Sequence, residues 1–224
     1  MNSETRVKIC GVTTAGDALA AARAGADMLG LNFYPPSPRC LTAKRAQEIA
    51  SRLRSDLGKR SPVLVGVFVN EDASRIADIC EEVGLDAAQL SGDEAPGALR
   101  APALRQTPAF KSLRPKSAES AQGEAQLYEF GERENVHLPS LLLDAWHPDL
   151  YGGSGEQTPD DVARAVLATV SRLMLAGGLN PENVAERVRS LRPWGVDVAS
   201  GVESAPGVKD AGKMRAFIAA AKGL

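Results

Sequence analysis

The sequence predicts an α/β protein built as a parallel (β/α)8 barrel, the TIM-barrel architecture. Eight short β-prone runs alternate with helical patterns along 224 residues, and no shift in composition marks a linker, so we expect one barrel domain over 1–224. The run 63–69 is continuously apolar, which is typical of a parallel strand buried on both faces. An open doubly wound sheet is the alternative, but such sheets more often stop at roughly five or six strands.

The eight predicted strands are short runs rich in aliphatic and β-branched residues, and most are followed by glycine, proline or polar residues. They cover residues 7–11, 28–33, 63–69, 87–90, 109–113, 141–144, 172–176 and 195–199. Their even spacing leaves room for one helix after each strand, as a barrel requires.

The helices are predicted from amphipathic stretches and from residues that begin or stop helices. They run from Thr13 or Thr14 to Ala24, over 42–57, 72–83 and 118–130, from Thr158 and Pro159, from Asn180 and Pro181, and over 209–222. The weakest pattern follows the fourth strand, where Pro96, Gly97 and Pro102 interrupt the helix.

Charge and composition exclude several classes of partner. The formal net charge is -2, and the 26 Lys and Arg residues are scattered among 28 acidic ones. Because there is no basic patch, the sequence implies neither nucleic acid nor an anionic membrane as a partner. This charge balance is still compatible with a small anionic ligand. No apolar run approaches the ~20 residues that a membrane span needs, and the first residues lack an apolar signal core.

The cysteines and histidines argue against a metal site. Cys10, Cys40 and Cys80 lie too far apart for a disulfide framework or a zinc-binding spacing, and His137 and His147 supply no metal cluster. We therefore expect a cytoplasmic protein without a metal site.

The opening strand carries the first chemical signal. Strand alternation directs Lys8 and Cys10 into the barrel and Val7 and Ile9 towards the helices. A thiol at the strand end beside an ammonium can have its pKa lowered from about 8.5 and act as a base. A buried structural cysteine is the other interpretation. On the last strand Asp197 also points inward, so closure of the barrel predicts an ion pair with Lys8.

The exits of the strands are expected to form one mouth, because barrel chemistry gathers at the carboxyl ends of the strands. The residues concerned are Cys10, Asn32, Arg39, Gln89, Asp144, Gly177 and Ser200. Three late exits are rich in small residues, which let backbone N–H groups approach an anion closely. We expect them to bind phosphate through Gly153, Ser154, Gly155, Gly177, Gly178, Ser200 and Gly201.

An ordered set of motifs spans nearly the whole chain. They are KICG at 8–11, GLNF at 30–33, PSPR at 36–39, VGVF at 65–68, QL at 89–90, LLD at 142–144, GGSG at 152–155, AGGL at 176–179 and SGVE at 200–203. In this order and at this spacing, the sequence resembles the phosphoribosylanthranilate isomerase family of tryptophan biosynthesis.

The resemblance implies a cofactor-free Amadori rearrangement of N-(5'-phosphoribosyl)anthranilate. It makes Cys10 the general base and Asp144 the general acid, the latter at the end of an apolar strand where burial would raise its pKa. Arg39 matches the residue that pairs with the anthranilate carboxylate, and Asn32 and Asp197 are expected at the substrate. The expected partner is a small phosphorylated substrate, and the chain is expected to act as a monomer or homodimer.

The sequence departs from the family pattern at Ser91, where the family usually has histidine, and at 157–159, where it usually has an aromatic residue. Two alternatives stay open. Another phosphosugar barrel, such as a ribulose-phosphate epimerase or an indole-glycerol phosphate synthase, would be expected to show metal-ligating histidines or a set of catalytic lysines. A non-catalytic sensor of phosphoribosyl ligands would need neither Cys10 nor Asp144.

Overall fold

A computed structural model describes residues 4–128, 137–147, 151 and 156–223. Eight parallel strands form a closed barrel in which each strand pairs with the next and the last pairs with the first. These strands are β1 Arg6–Cys10, β2 Met28–Asn32, β3 Val63–Phe68, β4 Ala87–Leu90, β5 Ala109–Leu113, β6 Leu141–Leu143, β7 Leu173–Leu175 and β8 Gly195–Val198. The predicted fold class is confirmed, and each predicted strand is present within one residue at either end.

The described residues include seven α-helices around the barrel. They are α1 Ala15–Arg23, α2 Ala43–Leu57, α3 Ala73–Val83, α4 Ala118–Tyr128, α5 Asp160–Leu167, α6 Val184–Leu191 and α7 Ala211–Lys222. Caps explain several boundaries: Thr14 accepts a hydrogen bond from the backbone N–H of Asp17 at 3.1 Å, and α3 ends on Gly84 at φ 73°. The left-handed conformation at that position favours glycine and stops the helix.

The helix predicted after β4 is absent. The chain forms two short 3-10 segments there, Pro96–Arg100 and Pro102–Leu104. Each begins on a proline, which lacks the N–H that a continuing α-helix would need. The interruptions noted in the sequence therefore prevent an eighth α-helix at this place in the described chain.

Two predicted helix starts are also wrong in detail. Thr158 does not cap α5, which starts after Pro159; its hydroxyl instead donates to the carbonyl of Ala176 at 2.9 Å, across to the end of β7. The helix expected from 180–181 begins only at Val184. Asn180 first closes a separate turn, accepting a hydrogen bond from the N–H of Glu182 at 3.0 Å.

The last predicted helix, 209–222, starts later than expected because Lys209 belongs to a hairpin. This hairpin consists of the antiparallel strands β9 Glu203–Ala205 and β10 Val208–Lys209. Asp210 then caps α7, accepting from the N–H of Lys213 at 2.8 Å. The sequence patterns did not predict the hairpin, and it proves important for the site.

The lower interior of the barrel is packed with apolar side chains from alternating strand positions. Met28, Val65, Phe110, Leu142 and Met174 are all at most 1% exposed. Further apolar clusters fill the space between the strands and the helices. The filled interior leaves the carboxyl end of the strands as the place for a cavity. Within the described ranges, no helix is both long and apolar enough to cross a membrane.

Candidate active site

A cavity of about 370 Å³ opens at the carboxyl end of the barrel. Its lining includes most of the residues that the strand exits were predicted to place at the mouth, namely Cys10, Asn32, Arg39, Gln89 and Asp144, and it also includes Asp197. A smaller cavity adjoins it and is lined by Gly177, Gly178, Ser200 and Gly201, together with Asp144 and Asp197. The structure therefore brings the predicted catalytic and phosphate-binding positions together, apart from Gly153, Ser154 and Gly155, which lie outside the described residues.

Cys10 ends β1 with 8% of its surface exposed. A Cβ atom on Gly30, its neighbour on β2, would lie 2.7 Å from the Cys10 Sγ atom. Real atoms do not approach so closely, so the glycine provides the space in which the thiol sits. The thiol is a free cysteine of the cavity lining.

Burial raises the pKa of the Cys10 thiol above its ordinary value, although the ammonium groups of Lys8 and Lys209 oppose this change. The charge of Lys8 does lower this pKa, as expected. The net pKa is nevertheless raised, so the expectation of a lowered pKa is wrong. The free energy lost when the thiolate is removed from water exceeds the stabilisation that the nearby positive charges provide. Lys8 nevertheless makes ionisation of the thiol less costly than it would be in an uncharged site.

Lys8 and Asp197 form the ion pair predicted from strand alternation. Their Nζ and Oδ1 atoms are 2.9 Å apart, and their side chains are 0% and 9% exposed. Burial alone would lower the pKa of Lys8, but the charges of Asp197 and Cys10 outweigh it and raise this pKa. The pair ties the first strand to the last beneath the thiol.

Asp197→Asn should lower the free energy of unfolding by about 3 kcal/mol, because it leaves the Lys8 ammonium buried without its counter-charge. Urea unfolding at pH 7 measures this loss. The double variant Lys8→Met/Asp197→Asn should recover part of the stability. As a control, Glu48→Gln breaks a surface ion pair with Arg45 in which about half of each side chain is exposed, and it should change the free energy of unfolding by under about 1 kcal/mol. Equal stability of wild type and Asp197→Asn would contradict a structural role for the pair.

Asp144 directly follows β6, and its Oδ1 accepts a hydrogen bond from the N–H of Ala145 at 2.8 Å. Burial, with a smaller contribution from the charge of Asp197, raises the pKa of Asp144 to about 6, although the backbone hydrogen bond from Ala145 acts to lower it. This agrees with the sequence-based expectation that burial raises this pKa. A carboxyl group with this pKa keeps a protonated fraction near neutral pH and can donate a proton.

Arg39 is already held by a carboxylate of the chain itself. Its Nε and Nη2 atoms donate to the two oxygens of Glu203 at 2.8 and 2.7 Å, and Lys209 donates to the same carboxylate at 2.8 Å. Burial raises the pKa of Glu203, but these hydrogen bonds outweigh it and keep this pKa below its ordinary value. Arg39 thus lines the cavity with one edge of its guanidinium engaged, and none of the residues that the structure describes binds its Nη1 atom.

Glu203 and Lys209 are neighbours of Arg39 that the sequence patterns did not single out. Both lie on the β9–β10 hairpin, which also contacts the loop after β1 through the Thr13 hydroxyl and the carbonyl of Gly207, 2.8 Å apart. The available signal was the acidic residue that ends the SGVE motif. Asn32, which was predicted at the substrate, lines the cavity while its Oδ1 accepts from the N–H of Tyr34 at 2.8 Å.

The two described glycine loops have the backbone freedom that a phosphate site needs. Gly177 and Gly178 have φ values of 85° and 58°, in the left-handed region that favours glycine. A Cβ atom on Gly201 would lie 2.0 Å from the carbonyl oxygen of Leu179. Only glycine permits this approach, so the loops after β7 and β8 lie against each other.

Comparison with known proteins decides the family. A family model described as N-(5'-phosphoribosyl)anthranilate (PRA) isomerase matches residues 7–220. The chain belongs to the phosphoribosylanthranilate isomerase family. The N-(5'-phosphoribosyl)anthranilate isomerase of Roseiflexus castenholzii is 50% identical over 218 residues, which are 96% of this chain and 97% of that one.

Solved isomerases of the family share the architecture. The crystal structure of the phosphoribosyl anthranilate isomerase from Thermotoga maritima superposes with a TM-score of 0.83 at 36% identity, covering 98% of this chain and 100% of that one. A second isomerase structure, in complex with reduced 1-(o-carboxyphenylamino)-1-deoxyribulose 5-phosphate, gives a TM-score of 0.81 at 34% identity with the same coverage. The family suspected from the sequence is confirmed, and the other phosphosugar barrels and the sensor lose their support.

Ser91, which departs from the pattern of the phosphoribosylanthranilate isomerase family, lies at the active-site cavity. Ser91 is 3% exposed, lines the main cavity, and accepts a hydrogen bond from the Gln89 amide at 3.0 Å. The serine therefore lies in the site of this isomerase, in contact with a residue of the family's Gln-Leu motif.

Proposed function

We propose that this chain isomerises N-(5'-phosphoribosyl)anthranilate to 1-(2-carboxyphenylamino)-1-deoxyribulose 5-phosphate, with Cys10 as general base and Asp144 as general acid. The observation that carries the proposal is that these two side chains line one cavity in a member of this enzyme family. An aldose-to-ketose change of this kind moves protons within one molecule. The reaction therefore requires only that the protein bind the substrate and transfer protons.

In the first step, Asp144 gives its proton to the furanose ring oxygen. The bond from that oxygen to C1' breaks, and the nitrogen lone pair forms an imine at C1'. The raised pKa of Asp144, about 6, supports this role, because a carboxyl group with an ordinary pKa would hold almost no proton near neutral pH.

In the second step, the Cys10 thiolate takes the proton from C2'. The electron pair of that bond forms a C1'–C2' double bond, and the π pair of the protonated imine returns to the nitrogen. The resulting enolamine becomes the ketone when C1' takes up a proton and the C2' hydroxyl gives up its own. The positive charge of the imine makes the C2' proton more acidic. This helps a base that burial keeps mainly in its thiol form.

The ends of the substrate carry the two anions that hold it. We place the anthranilate carboxylate at Arg39, with Asn32 and Asp197 lining the substrate cavity, and the phosphate at the loops that contain Gly178 and Gly201. Arg39 supports the first assignment because Glu203 fixes its guanidinium plane through Nε and one N–H of Nη2. The opposite edge, Nη1 with the other N–H of Nη2, is a second planar donor pair, which suits a carboxylate. Backbone N–H groups of glycine loops support the second.

Loss of anthranilate-type fluorescence, followed with substrate generated in the cuvette, tests the function directly. Addition of the purified chain should make the fluorescence fall in proportion to its concentration. A steady signal at high protein concentration, in an assay where a known isomerase of the family works, would overturn the proposed activity.

Gly201→Ala should raise the KM for substrate and the inhibition constant of inorganic phosphate by about tenfold, with a smaller change in kcat. The added methyl group meets the Leu179 carbonyl and must push the two phosphate loops apart. Gly123→Ala in α4 is the matched control, because a Cβ atom there meets nothing within 4 Å. Phosphate competition that survives in Gly201→Ala and vanishes in Arg39→Ala would place the anion at the carboxylate end instead.

A further inference from the structure

The side chain of Gln89 is a polar group that neither proton transfer nor anion binding uses. It lies on β4, is 5% exposed, and lines the same cavity as Cys10 and Asp144. Its Nε2 donates to the hydroxyl of Ser91 at 3.0 Å. The contact fixes the plane of the amide and so fixes where its carbonyl oxygen lies.

That carbonyl oxygen has no hydrogen-bond partner among the described residues. Gln89 Oε1 is buried from solvent and accepts no hydrogen bond from any of these residues. Buried amide oxygens are almost always satisfied, because leaving one without a donor is costly. A buried acceptor kept in a ligand cavity indicates that the ligand supplies the donor.

The chemistry of the substrate limits which group this donor can be. The phosphate and the carboxylate are hydrogen-bond acceptors near neutral pH, so neither satisfies a carbonyl oxygen. The ribosyl hydroxyls are donors, and they lie between the two anionic ends, in the part of the cavity where Cys10 and Asp144 act. We propose that Gln89 is a specificity-determining residue that accepts a hydrogen bond from a ribosyl hydroxyl, with Ser91 as its positioning residue.

This inference rests on the proposed function for the identity of the substrate. It adds a third recognition element to the two anion sites that bind the ends of the substrate. This element is a neutral acceptor that binds a hydroxyl of the ribosyl group. A site built around a substrate hydroxyl rejects analogues that lack it, because their binding leaves the buried oxygen unsatisfied.

Gln89→Met/Ser91→Ala is the informative variant, because it removes both polar partners while nearly keeping the side-chain volume. We expect the midpoint of urea unfolding to stay level or rise, since no polar group is left unsatisfied. Titration calorimetry with ribose 5-phosphate should show binding weakened about 10- to 100-fold, whereas inorganic phosphate, which offers no sugar hydroxyl, should bind as in wild type.

Controls separate this role from a merely structural one. Gln47→Met makes the same exchange on the protein surface and should bind both ligands as wild type does. Ser91→Ala alone should weaken only ribose 5-phosphate, by a few-fold, because the amide keeps its oxygen and loses its fixed plane. Because calorimetry needs no turnover, failure of the isomerase assay and failure of this inference remain distinct results. Unchanged binding of ribose 5-phosphate by the double variant, or equal weakening of both ligands, would overturn the inference.

Discussion

Asp144→Asn should lower kcat by between about 10² and 10⁴-fold and make the folded protein more stable at pH 8. The amide cannot donate a proton to the furanose oxygen as a carboxylic acid does, which accounts for the loss of turnover. The amide oxygen can still accept the hydrogen bond from Ala145, so the local backbone is kept.

The gain in stability follows from the raised pKa. Asp144 has a pKa of about 6 in the fold, against an ordinary value of 3.8, so the folded state binds more protons than the unfolded state between these values. The free energy of unfolding of the wild type therefore falls as the pH rises from about 4 to about 6, by up to about 3 kcal/mol, and stays lower above that range. The uncharged amide of Asp144→Asn carries no such penalty, so the difference in free energy of unfolding between variant and wild type should grow from about pH 4 to about pH 6 and then stay constant to pH 8.

The pH dependence of kcat/KM provides a second readout. A protonated Asp144 and an ionised Cys10 are both needed, and the acid has the lower pKa, so wild-type activity should rise to about pH 6, level off, and fall above the pKa of the thiol. The residual activity of Asp144→Asn should lose the change of slope near pH 6, because Asp144 no longer titrates. It should instead keep rising with pH as the Cys10 thiolate forms. Asp78→Asn, on an exposed face of α3, should leave both profiles unchanged. Wild-type turnover in Asp144→Asn would contradict the acid role.

Cys10→Ser should reduce kcat by between about 10² and 10⁴-fold with little change in KM, because a serine hydroxyl does not ionise in this pH range and cannot take the C2' proton. Steady-state kinetics and exchange of the C2' hydrogen with solvent both measure the loss. The substitution keeps the space beside Gly30, so the fold should be unaffected.

Cys80→Ser is the matched control for this prediction. Cys80 is also a buried free thiol, but it lies in α3 away from the cavity, and burial raises its pKa to about 12. Turnover of that variant should match wild type. Full activity of Cys10→Ser would show that another group takes the proton.

The barrel and the inward direction of its strand residues were predictable because they depend on local rules. Strand alternation and the position of strand ends suffice to direct Lys8, Cys10 and Asp197 inward, and the ion pair follows once the barrel closes. The helix starts at 158–159 and 180–181 were less predictable, since a threonine or asparagine can satisfy a distant carbonyl or an earlier turn equally well.

The surroundings of Arg39 could not be predicted from local patterns. The segment 203–209 has no β-prone run, and its hairpin is held by contacts with distant parts of the chain, such as the bond between Thr13 and Gly207. Glu203 and Lys209 therefore reach Arg39 through tertiary structure alone. The pKa of Cys10 was mispredicted for a related reason: sequence reveals the neighbouring charge on Lys8 but not the depth of burial.

The ion pair between Lys8 and Asp197 joins residues 189 positions apart, and this sets the order in which the enzyme can be assembled. During synthesis, the first strand emerges with an ammonium and a thiol that have no permanent environment until the eighth strand follows. Bringing such distant segments together is entropically costly and tends to occur late in folding. The Cys10 thiol and the Lys8 ammonium therefore gain the neighbouring charge of Asp197 only at the step that closes the barrel.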